Sequence, residues 1–234
     1  MSSILINLQA VRQQIVHAAQ LADRSFTDIQ LLAVSKNFDA DAVLEAAKAG
    51  QTAFGENYVQ EAIDKIATLQ QRAPEMMLEW HFIGPIQSNK TRPIAEHFDW
   101  VHSVDRLKIA QRLSEQRPAH KGSLNVCLQI NISEEVSKSG VAAEQTGELA
   151  RQIAALPNLR LRGLMAIPHP TDDPDQQRQS FHQVRLLQEE LVRQGLELDT
   201  LSMGMSADLE AAILEGSTIV RVGTAIFGKR NYAQ

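Results

Sequence analysis

Eight short apolar or β-rich runs alternate with longer stretches whose apolar residues recur at helical spacing, and this alternation constrains the chain more than any other feature. The runs lie at 30–35, 52–54, 79–83, 100–103, 125–131, 160–167, 200–203 and 218–222. Between them the spacing predicts helices at 40–49, 58–71, 88–97, 105–117, 142–156, 174–194 and 207–215. Gly50 and Gly216 stand where a helix needs a residue of positive φ just past its end. Parallel strands require crossover connections, so strict alternation implies βαβ units and an α/β fold. An open doubly wound sheet and a (β/α)8 TIM barrel both satisfy the pattern. Eight units favour closure into the barrel. A leading amphipathic helix carrying Ile4, Leu5, Leu8, Val11, Ile15 and Ala19 is extra to that count.

One domain spanning 1–234 accommodates the pattern, because single α/β barrels commonly occupy roughly 200–250 residues. No Gly/Ser linker or low-complexity tract marks a boundary. A globule of this size buries about 70–75% of the surface of its unfolded chain and needs no disulfide or metal staple. The lone Cys127 forms no CxxC pair and no intramolecular disulfide, which fits a reducing compartment. A net charge of −5, from 23 basic and 28 acidic residues, provides no electrostatic footprint for nucleic acid or anionic membrane. No apolar run approaches the ~18 residues of a membrane span, and the first residues lack a basic region leading into an apolar core. Only Arg12 precedes Arg24, which argues against a mitochondrial presequence. The expectation is a cytoplasmic protein.

The usual catalytic and cofactor signatures are absent: there is no GxGxxG after the first strand, no GxxxxGK[ST] and no HExxH. Gly204-Met205-Ser206-Ala207-Asp208 begins like a nucleophile elbow but has Asp208 where the turn requires a second glycine. His81, His97, His102, His169 and His182 show no metal-ligand spacing and read as surface or internally satisfied histidines at loops and strand ends.

Lys36 directly ends the run Leu31-Leu32-Ala33-Val34-Ser35. In a barrel the C-terminal strand ends face the active site, so this lysine stands at the mouth, beside an apolar core. Burial disfavours the ammonium form, and a deprotonated lysine is a nucleophile toward aldehydes. The alternative is a side chain that snorkels into solvent. At the other end of the chain, Gly204-Met205-Ser206 follows the seventh run and Arg221-Val222-Gly223-Thr224 closes the eighth, where barrels commonly hold a phosphate. Glycines let backbone N–H groups approach an anion, the hydroxyls of Ser206 and Thr224 can donate, and a helix N-terminus adds partial positive charge. Ser206 could equally be the N-cap of the helix at 207–215. Arg221, within an apolar run, needs an acceptor: an internal carboxylate or a ligand atom. An amine, an oxyanion cradle and an arginine together describe a site for a phosphorylated aldehyde such as pyridoxal 5′-phosphate.

The chain resembles the pyridoxal phosphate homeostasis protein family. The resemblance rests on LLAVSK around Lys36, FGENYVQE from Phe54 to Glu61, EWHFIGPIQSNK from Glu79 to Lys90 and NISEEVSKSG from Asn131 to Gly140. It continues through GLMAIP from Gly163 to Pro168, LSMGMSADLEAAI from Leu201 to Ile213 and VRVGTAIFG from Val220 to Gly228. It implies a fold similar to the alanine racemase barrel domain and an internal aldimine between Lys36 and pyridoxal phosphate. It further implies that Ser206, Gly223 and Thr224 hold the phosphate, that Arg221 faces the pyridine nitrogen, and that Asn57 and Met203 line the cofactor. The implied role is cofactor binding, buffering and delivery, with apo-enzymes that use pyridoxal phosphate as acceptors and no established turnover. Two other readings compete: a racemase-like enzyme acting on amino acids, and a cofactor-free Schiff-base aldolase. Alanine racemase draws a tyrosine base from a C-terminal β-domain that this chain has no room for, and neither Tyr58 nor Tyr232 matches that base. The same missing domain implies a monomer. Lys138, in the loop after the fifth run, is a candidate secondary aldehyde acceptor or else an exposed loop lysine; Lys90 and Arg92 read as a solvated helix start.

Overall fold

The computed structural model describes residues 3–132 and 139–228. Its strands are β1 (Gln30–Val34), β2 (Ala53–Glu56), β3 (Glu79–Phe82), β4 (Trp100–Val104), β5 (Leu124–Ile130), β6 (Leu159–Ala166), β7 (Thr200–Ser202) and β8 (Ile219–Val222). They pair in chain order, all parallel, and β8 returns to β1 with Leu32 opposite Arg221 and Ala33 opposite Val222. That last pairing closes the barrel and excludes the open sheet. Around it lie α1 (Ser3–Leu21), α2 (Ala40–Lys48), α3 (Val59–Arg72), α4 (Thr91–His97), α5 (Leu107–Gln116), α6 (Ala143–Ala154), α7 (Pro174–Arg193), α8 (Leu209–Leu214) and α9 (Thr224–Phe227). Among the described residues no helix is long and apolar enough to cross a membrane.

Two apolar layers result from the period-two alternation of the strands. On β1, Leu31 and Ala33 face the helices, whereas Leu32 joins Ala53, Trp100, Cys127, Met165 and Ile219 inside the barrel. The interior is thus packed, and ligands are confined to its mouth.

The extra N-terminal helix is structural. α1 buries Ile4, Leu8, Val11, Ile15, Ala18 and Ala19, and packs on α8 and α9. Each large aliphatic so buried contributes on the order of 1.5–3 kcal/mol. Polar bonds fix its direction: Asn7 Nδ2 donates to Ile226 O at 3.0 Å, and Arg12 donates to the carbonyls of Ala49 and Gly50, just past the end of α2. Past α1, Arg24 donates to Ile213 O and Ser217 O.

The sequence pattern differs from the structure in two places that bear on the site. The predicted helix at 207–215 begins only at Leu209, because Asp208 Oδ1 accepts from Met205 N at 2.6 Å and folds 205–208 into a turn. α9 was not anticipated; its four residues are too few to show periodicity, and Ile226 and Phe227 bury it.

Candidate functional site

β1 delivers Lys36 to the mouth of the barrel. Leu32 and Val34 take the interior parity of β1 and Ser35 the helix-side parity, so Lys36 leaves the strand on the interior parity, half-buried. It occupies the turn Ser35-Lys36-Asn37-Phe38, closed by Phe38 N donating to Ser35 O at 3.0 Å. Asn37 has φ of +63°, in the left-handed region that asparagine tolerates better than most residues.

The end of β8 lies against this strand. A Cβ added at Gly223 would come 3.1 Å from Val34 O and 3.3 Å from Val34 Cβ, so only glycine lets the two backbones approach this closely. Thr224 follows, exposed at the start of α9. Across from it, β7 runs into Gly204, whose φ of +94° and a would-be Cβ 2.5 Å from Ala212 Cβ both demand glycine. Ser206 is exposed in the turn after it. The N-cap expectation for Ser206 does not hold: position N-cap of α8 belongs to Asp208, and the Ser206 hydroxyl is not needed to end a helix. Ser206, Gly223 and Thr224 therefore stand at adjacent strand ends, β7 and β8, with Lys36 on the next strand round the closed barrel.

Arg221 is 5% exposed and points inside the barrel. Its Nη1 donates to Ser202 O at 2.6 Å and Ser202 Oγ at 2.7 Å, and its Nη2 to Ala166 O at 3.0 Å. The acceptors are neutral, so the internal-carboxylate alternative is not realised; Asp208 acts on Arg221 only through its field. Burial pulls the guanidinium down to about 10, which leaves it charged at neutral pH.

Behind Arg221 runs a chain of hydrogen bonds that the sequence did not reveal. Ser202 Oγ lies 2.7 Å from His102 Nδ1, His102 Nε2 lies 2.9 Å from His81 Nδ1, and His81 Nε2 approaches Glu79 Oε2 to 3.1 Å, too bent for a well-formed bond. Requiring an acceptor for every polar hydrogen orders the protons. Ser202 accepts from Arg221 and donates to His102, His102 donates to His81, and the last N–H faces the carboxylate. This order gives each imidazole one ring N–H to donate along the chain, and burial above all, then His81 and Arg221, holds His102 well below its ordinary pKa. Glu79 closes the far end: it accepts from Trp100 Nε1 and Gln30 Nε2, both at 2.8 Å, and the His81 contact keeps its carboxyl down at about 2. The indole of Trp100 stacks on His81 with Arg162 over its ring. His81 and His102 are therefore interior residues, not loop or strand-end ones.

A second unanticipated cluster lies on the helix side of β1 and β2. Lys65, on α3, bonds Glu56 Oε1 at 2.6 Å, Ser35 O at 2.9 Å and Glu61 Oε1 at 3.2 Å. Glu56 is fully buried, also accepts from Ser35 Oγ at 2.6 Å, and burial raises its pKa against the pull of Lys65.

Asn57 follows β2 at the mouth. Gly84 packs on its backbone, and its buried Oδ1 has no hydrogen-bond partner among the described residues. Met203 is fully buried in the helix-side layer; the neighbour that faces the interior is Ser202, so Met203 reaches the mouth through its backbone rather than its side chain. Burial raises Cys127 to about 12, which makes it an inert thiol. Among the described residues no His/Cys/Asp/Glu group could hold a metal. Lys138 and Tyr232 lie outside the described residues. Lys90 closes a single turn of helix before α4, and Arg92 pairs loosely with Glu96 on its surface.

The model of the alanine racemase N-terminal domain matches residues 6–231. A pyridoxal phosphate homeostasis protein from Pseudomonas aeruginosa is 60% identical over 232 residues, 99% of this chain and 98% of that one. Another, from Vibrio cholerae, is 54% identical over 234 residues, 100% of this chain and 99% of its own. Among solved structures, PipY of Synechococcus elongatus PCC7942 with PLP bound is 39% identical, with a TM-score of 0.83 over 96% of this chain and 100% of that one.

Proposed function

The chain belongs to the pyridoxal phosphate homeostasis protein family, built on the alanine racemase N-terminal domain, and from that premise we propose that it binds, buffers and delivers pyridoxal 5′-phosphate. One observation carries the assignment of residues: Gly223 packs on Val34, which brings the oxyanion cradle of β7 and β8 alongside the strand end that bears Lys36. Three features of the mouth fit the cofactor. Glycine at 223 lets the end of β8 close on Val34, the buried Asn57 Oδ1 offers an acceptor, and Arg221 brings a charged donor with two of its five N–H groups not used by Ser202 or Ala166.

When bound, the cofactor supplies an electrophilic aldehyde carbon and a pyridine ring able to take up electrons. Lys36 would supply the amine for condensation with that carbon. Ser206, Gly223 and Thr224 hold the phosphate with hydroxyl and backbone N–H groups, and Asn57 and the backbone at Met203 border the ring. Arg221 would stand toward the ring nitrogen. A guanidinium there opposes protonation of that nitrogen and weakens the ring as an electron sink, which favours carriage over turnover. The reading is therefore of a carrier in the cytoplasm that hands its cofactor to apo-enzymes and catalyses no amino-acid reaction of its own.

Loading the protein with the cofactor should give a visible absorption band that borohydride bleaches, leaving the reduced adduct on the Lys36 peptide by mass spectrometry. Lys36→Ala should lose both. Mixing the loaded protein with a cofactor-stripped enzyme should restore that enzyme, and amino acids incubated with it in deuterated water should keep their α-protons. A label on some other lysine, or α-proton exchange, would overturn the assignment.

A further inference from the structure

The turn that carries Lys36 is held from outside the barrel on both sides of the lysine. On one side, Lys65 Nζ donates to Ser35 O and Ser35 Oγ donates to Glu56 Oε1. On the other, Asn37 N donates to Glu61 Oε1 at 2.6 Å. Lys65 joins the two carboxylates, so the three charges form one unit. Its members come from β2 and α3, and Lys65 and Glu56 are almost wholly buried.

Such a cluster is costly. Each buried ion gives up several kcal/mol of hydration, and apolar residues of similar volume in its place are often neutral or stabilising. Glu56 Oε2 is buried without a hydrogen-bond partner among the described residues, which adds to the cost. The bend at Asn37, with positive φ on a residue that has a Cβ, adds a smaller cost, since asparagine tolerates this region better than most residues. Stability alone does not account for a buried ionic cluster beside a strained turn. The direction of its bonds does: they end on the backbone of the residues immediately before and after Lys36.

We propose that Lys65, Glu56 and Glu61 are positioning residues that clamp Ser35 and Asn37, and thereby aim the Lys36 amine at the aldehyde carbon of the cofactor. The inference rests on the assignment of Lys36 made above. The clamp comes from β2 and α3, on the edge of β1 away from β8 and the phosphate cradle, so it governs how fast the amine reacts and not how tightly the phosphate is held. A misplacement of about 1 Å costs up to about a hundredfold in rate, which is the scale on which such a clamp acts.

Glu61 is partly exposed, so Glu61→Ala frees the turn without burying an unpaired charge. The rate at which pyridoxal 5′-phosphate becomes borohydride-fixed to Lys36 should fall by about tenfold or more in this variant. Its affinity for pyridoxine 5′-phosphate, an alcohol that offers the same ring and phosphate but cannot condense, should stay within about twofold, which is within the usual spread for a site left intact. Adding Asn37→Gly, which takes positive φ without the Cβ penalty, should recover most of the lost rate. An unchanged rate in Glu61→Ala, a parallel loss of both readouts, or no recovery with Asn37→Gly would overturn the clamp. Absence of any adduct on Lys36 in the unaltered protein would instead overturn the assignment of the lysine, and the clamp with it.

Discussion

The two strand ends that meet at the barrel mouth are supported by opposite kinds of chemistry. Behind Lys36, on the helix side of β1 and β2, the support is ionic: a buried lysine between two carboxylates. Behind Arg221, inside the barrel, it is a neutral chain of hydroxyl and imidazoles that becomes charged only at its far end, at Glu79. The difference fits the roles proposed for the two side chains. In the proposed function Lys36 has to be aimed, a task that short and strong bonds to backbone suit. Arg221 must remain a cation in the core, and neutral acceptors do this without neutralising it.

The contrast is broken most severely at Lys65. Lys65→Met leaves Glu56 buried without its counter-charge and should cost about 3–5 kcal/mol in chemical denaturation, whereas Glu56→Gln combined with Lys65→Met should recover most of it. On the neutral side, His102→Phe removes one link and strands Ser202 and His81, for about 1–3 kcal/mol. Here the affinity for pyridoxine 5′-phosphate should fall as well, because Arg221 loses its orientation, and calorimetry would show it. If His102→Phe proved as costly as Lys65→Met, the neutral chain would have to carry charge.

A pH titration sharpens the same contrast. The carboxyl of Glu79 is depressed in the folded state, so the stability it contributes is present above the ordinary glutamate range and disappears as pH falls from that range to about 2. Urea midpoints of Glu79→Gln should therefore depend less steeply on pH across that interval than those of the unaltered protein. The smallest effect belongs to Cys127, which lies in the neutral interior. With its thiol pushed up to about 12, alkylation of the native protein at mildly alkaline pH should proceed only as fast as the barrel opens.

Much of this architecture was legible because barrel strands buried on both faces read as nearly continuous apolar runs. The proposed cradle rests on a signal of the same kind: Gly204-Met205-Ser206 and Gly223-Thr224 combine glycines and hydroxyls at the ends of apolar strands. The supports were not legible. Glu61 and Lys65 are four apart on a helix, the spacing of an ordinary solvated pair, and only the packing of α3 on β2 buries one of them. His81 and His102 became neighbours through the register of β3 and β4, which sets His81 opposite Trp100, and no local pattern records such a pairing. Ser206 looked like an N-cap because helix starts are the least certain boundaries, and Asp208 moved this one two residues on.

Closure of the ring by β1 against β8 has a consequence for the birth of the protein. The Lys36 amine and the proposed cradle that meet across this seam lie far apart along the chain, and α1 reaches over to brace α9 at the same place. Until β8 has been made and paired with β1, the proposed pocket does not exist to be filled. Capture of a cofactor at the proposed site would thus mark a finished barrel.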